Sequence, residues 1–365
     1  ATIVKHVSVA RPLVVRFGAM GDMVIVLGLI EALHRRFGVP VDVVSSGGWT
    51  KPLLEGQSGV GNLHLIRSRR TPYALSPQQW HLVDTLRQRG AGPVWLCEAG
   101  VHARKLLTRA GVAPEWIVEA DVHCPRFPSE HNLDRWLRFA QLSPAALPGL
   151  APLDAGAMVR NIKWPPLRVL PDWRSDLTAW LHNRGLAERP LVLVQAGNKR
   201  TMRWWAPRQR ASNSKYWPEE RWAAVIEALL RRDSRMVVVL LGVPAEASLN
   251  EDIASLVQSD RVVNVARELP IPRLLALQER AFGMISVDTG PAHSAAALGC
   301  PLVVLFGQVN VDRWAPRSPR GAVQTLTGGS GTNDGILGIA VQDVEDAWDR
   351  LQEGIARQLH DPAMC

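Results

Sequence analysis

The feature that most constrains the fold is an alternation running the length of the chain, in which short apolar, β-rich runs are followed by segments with helical spacing. Leu13–Arg16, Val41–Ser45, Leu63–Ile66 and Val94–Cys97 read as strands, with helices near Asp22–Arg36, Pro77–Arg89, His102–Arg109 and Glu130–Gln141 between or after them. The second half repeats the grammar. Its strands are Leu191–Gln195, Val237–Leu241, Val262–Asn264, Gly283–Val287 and Leu302–Phe306, and its helices lie near Pro218–Arg231, Ala245–Val257, Ile271–Arg280 and Pro291–Leu298. Such alternation builds βαβ units and hence doubly wound parallel sheets. Between the halves, Pro144–Pro171 is rich in Pro, Ala and Gly and lacks periodicity, as a linker does. The expectation is an α/β protein of two Rossmann-like domains, 1–165 and 166–342, facing across a cleft. A last helix within 343–365 is expected to pack back toward the N-terminal domain.

Composition narrows the class. With 365 residues, 47% hydrophobic and 21% charged, the chain is long enough for two ordinary domains, which excludes a disordered chain or a disulfide-stapled mini-fold. The longest apolar runs, Met23–Ile30, Met236–Val243 and Pro301–Gly307, fall far short of the roughly 18 residues that span a bilayer. Ala1–Ala10 is broken by Lys5 and His6, unlike a signal peptide, so a cytoplasmic protein is expected. Cys97, Cys124, Cys300 and Cys365 are scattered without metal-ligand spacing, which points away from zinc and disulfides. The first 150 residues hold 17 Lys and Arg against 11 Asp and Glu, and the rest 25 against 23. That asymmetry fits an anionic partner for the first half: nucleic acid, a membrane surface, or a phosphorylated or carboxylated substrate.

Two segments bear chemistry. Arg16-Phe17-Gly18-Ala19-Met20-Gly21-Asp22 leaves the first strand and enters a helix, and its small residues allow a ligand close to the backbone at the carboxyl end of the sheet. It is not the G-x-G-x-x-G dinucleotide fingerprint. Asp22 is either a plain helix cap or a base kept ionised at a helix N-terminus. The second segment, Ser286-Val287-Asp288-Thr289-Gly290-Pro291-Ala292-His293, is a strand–turn–helix whose first free N–H groups suit a phosphate. His293 serves either packing or the site, and Glu246 is otherwise a first-turn helix acid.

The second segment with its continuation, Asp288-Thr289-Gly290 through Ala297-Leu298-Gly299, resembles the D-T-G-x-x-H-x-x-A-A-L-G element of the ADP-heptose lipopolysaccharide heptosyltransferases, glycosyltransferase family 9. Gly21-Asp22 looks like the family's G-D element, and Lys215-Tyr216-Trp217-Pro218 is similar to its K-x-W-P helix start. Leu241–Glu246 resembles its G-x-P-x-E turn, and Phe306-Gly307-Gln308 with Trp314-Ala315-Pro316 its F-G-x-T…A-P loop. The resemblance implies a GT-B fold and an inverting transfer of heptose from ADP-heptose to a lipopolysaccharide-core acceptor, with no obligatory metal or cofactor. It implies Asp22 as catalytic base. Donor contacts would come from Lys215, Glu246, Asp288, Thr289, Gly290 and His293, with Asn310 on a sugar hydroxyl. The basic, Trp-bearing insert Lys199–Ser214 leaves the diphosphate lysine open between Lys199 and Lys215.

On the same resemblance, the acceptor is an anionic glycolipid at the inner face of the cytoplasmic membrane, and no stable protein partner is implied. Its binding residues would be Gly18, Met20 and Gly21 of the first turn, Arg67, Arg69 and Arg70 after one strand, His102 and Arg104 after the next, and His131. Arginine forks suit its phosphates and carboxylates. Three rival readings stand beside this one: a related transferase with another nucleotide-sugar, a nucleotide-sugar epimerase, and a basic nucleic-acid-binding protein. The last is disfavoured because the basic residues are scattered over loops and not gathered on one recognition helix.

Overall fold

The structure is a computed structural model that describes residues 10–67, 71–147, 161–198, 213–307, 309–328 and 335–360. The chain divides into two compact units, Ala1–Pro166 and Leu167–Cys365.

Unit 1 is built on five strands: β1 (Leu13–Val15), β2 (Val41–Ser46), β3 (Val60–Ile66), β4 (Val94–Leu96) and β5 (Ile117–Glu119). Their order is β3-β2-β1-β4-β5, every pair parallel, with Val14 opposite Val43 on one side and Trp95 on the other. The central strands β1 and β4 are buried throughout, as expected where helices cover both faces. Helix Met20–Phe37 buries a nearly continuous run from Met23 to Leu33 and stops at Gly38, whose φ of 67° lets its N–H reach the His34 carbonyl at 2.8 Å.

Unit 2 holds β6 (Leu191–Gln195), β7 (Val237–Leu240), β8 (Val262–Asn264), β9 (Gly283–Val287), β10 (Leu302–Phe306) and β11 (Val323–Thr327). They run β11-β10-β9-β6-β7-β8, again all parallel. The apolar β6, β9 and β10 are fully buried, and Trp217 and Trp222 pack edge to face at 5.0 Å in the same core. Each sheet therefore reverses its winding at one place, between β1 and β4 in unit 1 and between β6 and β9 in unit 2. Open α/β sheets bind ligands outside the carboxyl ends of the strands at such a point.

Helices Pro77–Arg89 and Ile271–Arg280 fall where their spacing placed them. Several elements escaped it, among them the short helices Thr50–Leu54, Ala120–His123 and Val311–Trp314. β5 has three residues, β11 (VQTLT) is a partly exposed edge strand with no apolar run, and helix Pro171–Asn183 starts with proline inside the linker-like composition. That helix is fastened to Ile271–Arg280 by two arginine forks, Arg174 to Glu279 and Arg273 to Asp176. The helix expected near Glu130–Gln141 starts later, at Asn132, because His131 is its cap: the ring Nδ1 accepts from the Leu133 N–H at 3.0 Å.

The last helix, Val341–His360, also differs from expectation. Its Val344, Ala347, Trp348 and Leu351 complete the core of unit 2, against β10, β11 and helix Glu219–Arg232, where packing toward the N-terminal domain was expected. The reason is shape. A side chain on Gly283, at the start of β9, would come within 2.7 Å of the Trp348 ring. Cys97, Cys124 and Cys300 are free and buried, and burial pushes the Cys97 and Cys300 thiols up to about 12, so they serve as inert packing residues. Among the described residues no helix is long and apolar enough to cross a membrane. Trp348→Ala should cost about 3–5 kcal/mol in the unfolding transition of unit 2, measured in urea, while leaving that of unit 1 in place.

Candidate active site

At the carboxyl end of β1, Arg16 closes the strand and the chain turns through Gly18 into helix Met20–Phe37. Asp22 is the third residue of that helix. Its Oδ2 accepts the Ala19 N–H at 3.0 Å and its Oδ1 accepts from an Arg16 guanidinium nitrogen at 2.8 Å. Glycine at 18 is obligatory, since a Cβ there would stand 2.5 Å from the Asp22 Cβ. The other Arg16 nitrogen donates to the Cys97 carbonyl at 3.0 Å and lies 3.6 Å from Glu98 Oε1, which accepts the Phe17 N–H at 2.7 Å. Burial by itself would pull the Arg16 guanidinium down, but the Asp22 and Glu98 carboxylates outweigh it and hold Arg16 above its ordinary range. Asp22 thus caps its helix and keeps a fifth of its side chain exposed.

In unit 2 the residues at the switch point come from four loops. After β9, Asp288 and Thr289 precede helix Gly290–Ala297, with Thr289 extended in the cap position. Lys215 Nζ donates to the Asp288 carboxylate at 2.6 Å and to the Asp288 carbonyl at 2.7 Å. On the other Asp288 oxygen, His293 Nε2 lies at 3.9 Å, and the His293 ring stands edge-on to Trp314 at 6.5 Å. Lys215 is itself held by its own N–H to Asn213 Oδ1, and Asn213 reaches Asn198 after β6 at 3.1 Å. The loop after β10 comes against the same segment: a Cβ on Gly307 would stand 2.2 Å from the Ser214 carbonyl oxygen.

Glu246 follows β7 and is almost fully buried. Its Oε2 accepts the Val243 N–H at 2.9 Å and the Gln195 side-chain amide at 3.4 Å. Burial raises its proton affinity, which these two hydrogen bonds only partly offset, so it titrates above the ordinary glutamate range. Burial therefore makes its charged form a cost to the fold. Among the described residues, no group of three or more His, Cys, Asp or Glu side chains could hold a metal ion.

The remaining sequence candidates are spread. His102 sits edge-on to Phe17 at 6.3 Å, beside the Gly18 turn. Met20 and Gly21 open the first helix. Arg67 follows β3 and is exposed, whereas Arg104 is already forked onto Glu119. His131 is buried as the cap of Asn132–Phe139. Asn310 is an exposed residue before the short helix Val311–Trp314. Arg69, Arg70, Lys199 and Gln308 lie outside the described residues. Sequence reasoning missed Arg16, Glu98, Gln195 and Asn213. Arg16 and Glu98 carried a usable signal, since each follows a strand that borders the switch point.

The two doubly wound parallel-sheet units have the GT-B-type fold. Residues 188–330 match the family described as glycosyltransferase family 9 (heptosyltransferase). A stretch of 104 residues, 28% of the chain, is 35% identical to Lipopolysaccharide heptosyltransferase 3 of Escherichia coli, and the match spans about a third of that relative's length (31%). E. coli ADP-heptose lps heptosyltransferase II has a similar structure, with a TM-score of 0.72 and 19% identity over 94% of this chain and 99% of that one. E. coli heptosyltransferase WaaC, solved with ADP-2-deoxy-2-fluoro heptose, gives 0.63 and 16% over 93% and 99%.

The buried Glu246 carries a stability consequence. Its folded value is raised, so the destabilisation due to its charge is absent below the ordinary glutamate range and full above the folded value. Glu246→Gln, which can still accept the Val243 N–H, should raise the melting temperature of the ligand-free protein at pH 7. The gain should shrink as pH falls through the carboxylate range, by calorimetry.

Proposed function

We propose that the chain is an inverting glycosyltransferase that moves heptose from ADP-heptose to a sugar hydroxyl of a lipopolysaccharide-core acceptor. The observation that carries this reading is the Lys215–Asp288 pair at the start of helix Gly290–Ala297, inside the family-matched stretch. A lysine and the first free N–H groups of a helix are the equipment for a diphosphate leaving group. This favours Lys215 over Lys199 as the diphosphate lysine. In the absence of donor Lys215 rests on Asp288, and Asp288 turns to the sugar hydroxyls once the donor engages Lys215. Glu246, poor in partners and buried, offers its carboxylate to the nucleoside hydroxyls, and His293 lines the same turn.

In the transfer, the acceptor hydroxyl oxygen attacks the anomeric carbon as the bond from that carbon to the diphosphate oxygen breaks. ADP leaves with the electron pair, and the hydroxyl proton passes to Asp22. Attack opposite the leaving group inverts the anomeric centre. Each carboxylate oxygen of Asp22 retains a lone pair beyond its present hydrogen bond, and the partial exposure of the side chain leaves room for a hydroxyl. General-base help of this kind contributes about 100-fold or more. The basic first half, with exposed Arg67 and the His102 turn, supports an anionic acceptor presented at the inner face of the cytoplasmic membrane. No metal is assigned a step.

Calorimetric titration with ADP-heptose, ADP, UDP and GDP should show binding selective for the adenine nucleotides and tightened by the heptose; preference for UDP or GDP would overturn the donor. Asp22→Asn should lower turnover at least about 100-fold with donor affinity intact. Lys215→Met should weaken ADP and ADP-heptose alike, and unchanged affinity for either would remove Lys215 from the diphosphate.

A further inference from the structure

The Asp22 carboxylate does not stand alone, and its surroundings are more specific than a helix cap requires. A cap needs only the Ala19 N–H, which Oδ2 accepts. Oδ1 is instead met by Arg16, a side chain from the preceding strand end that is itself fixed at three points. One guanidinium nitrogen donates to the Cys97 carbonyl, the same nitrogen faces Glu98, and the guanidinium carbon lies 5.7 Å from the centroid of the Trp136 ring. Glu98 is in turn pinned by the Phe17 N–H, so the carboxylate after β4 is registered to the backbone after β1. The guanidinium stands between two carboxylates, which leaves one negative charge on the trio.

That charge count matters. A lone arginine on a general base would hold it in place but compete with the substrate proton for it. With Glu98 taking part of the cation, the arginine can orient Asp22 while the trio stays anionic. We propose that Arg16 and Glu98 are positioning residues for Asp22, with Arg16 fixing its carboxylate at the switch point of unit 1 and Glu98 offsetting the charge of Arg16. This rests on the reading of Asp22 as the base.

The test is steady-state transfer from ADP-heptose, comparing the full chain with Arg16→Ala, Glu98→Gln and the double variant. Arg16→Ala should lower kcat about 10-fold or more at unchanged KM for ADP-heptose, and millimolar guanidinium should restore much of the loss where equal sodium chloride does not. Glu98→Gln keeps an acceptor for the Phe17 N–H, so it should fold with a near-normal melting temperature and still lose about threefold in kcat. Because the two residues act on one target, the double variant should be little worse than Arg16→Ala. Normal kcat in Arg16→Ala, a loss that guanidinium fails to restore, or losses that multiply in the double variant would each overturn the proposal. An unsubstituted chain that binds ADP-heptose but transfers nothing would instead overturn the assigned reaction, and the proposal with it.

Discussion

An all-parallel sheet sends every β→α turn to one edge, and the two places where these sheets reverse their winding organise everything else in the protein. In unit 1 the strands on either side of the reversal, β1 and β4, are followed by Arg16 and Glu98. Their charges meet over the backbone of the turn that carries Asp22. In unit 2 the strands β6 and β9 end at Gln195 and Val287. Beyond them lie Asn198, Lys215 and Asp288, and Glu246 comes from the loop after β7. The apolar strands have no choice about where their polar flanks go. Buried carboxylates at such an edge are costly unless paired, and Asp22 with Glu98 in unit 1 and Asp288 in unit 2 are met by a cation.

The pairing is not equal in the two units. Lys215 and Asp288 form a simple pair that a diphosphate can open, because a lysine ammonium is a mobile point charge on a flexible stem. Arg16, by contrast, is locked by a carbonyl, two carboxylates and an aromatic face, which suits a group that must hold a fixed geometry. On the proposed reading, a donor that arrives and leaves suits the first arrangement, and a proton acceptor that must wait in place suits the second. Glu246 is the exception: it is buried with only neutral hydrogen-bond partners, and burial raises its proton affinity.

Most of the architecture was legible because βαβ units write their period into the sequence. The strands Leu191–Gln195, Gly283–Val287 and Leu302–Phe306 and the helix Ile271–Arg280 fall where the apolar runs put them. β5, β11 and helix Pro171–Asn183 were not legible, since none has an apolar run of useful length and the last begins at the proline that ends the linker-like stretch. The last helix was found but not its docking face, because the notch that takes Trp348 exists only once Gly283 is folded into β9. At the site, Asp22, Lys215, Asp288 and Glu246 could be read from local motifs. Arg16 and Glu98 are 82 residues apart and meet only through the β1–β4 register, which no local pattern encodes.

The central claim is direct displacement at the anomeric carbon of an ADP-linked heptose, and the product's stereochemistry tests it most directly. The purified chain would be given ADP-heptose and a lipopolysaccharide-core acceptor, and the one-bond carbon–proton coupling at the new anomeric carbon read by NMR. The account predicts a single glycoside of inverted configuration, formed one for one with ADP. A product of retained configuration would contradict it, as would release of free heptose with no glycoside formed.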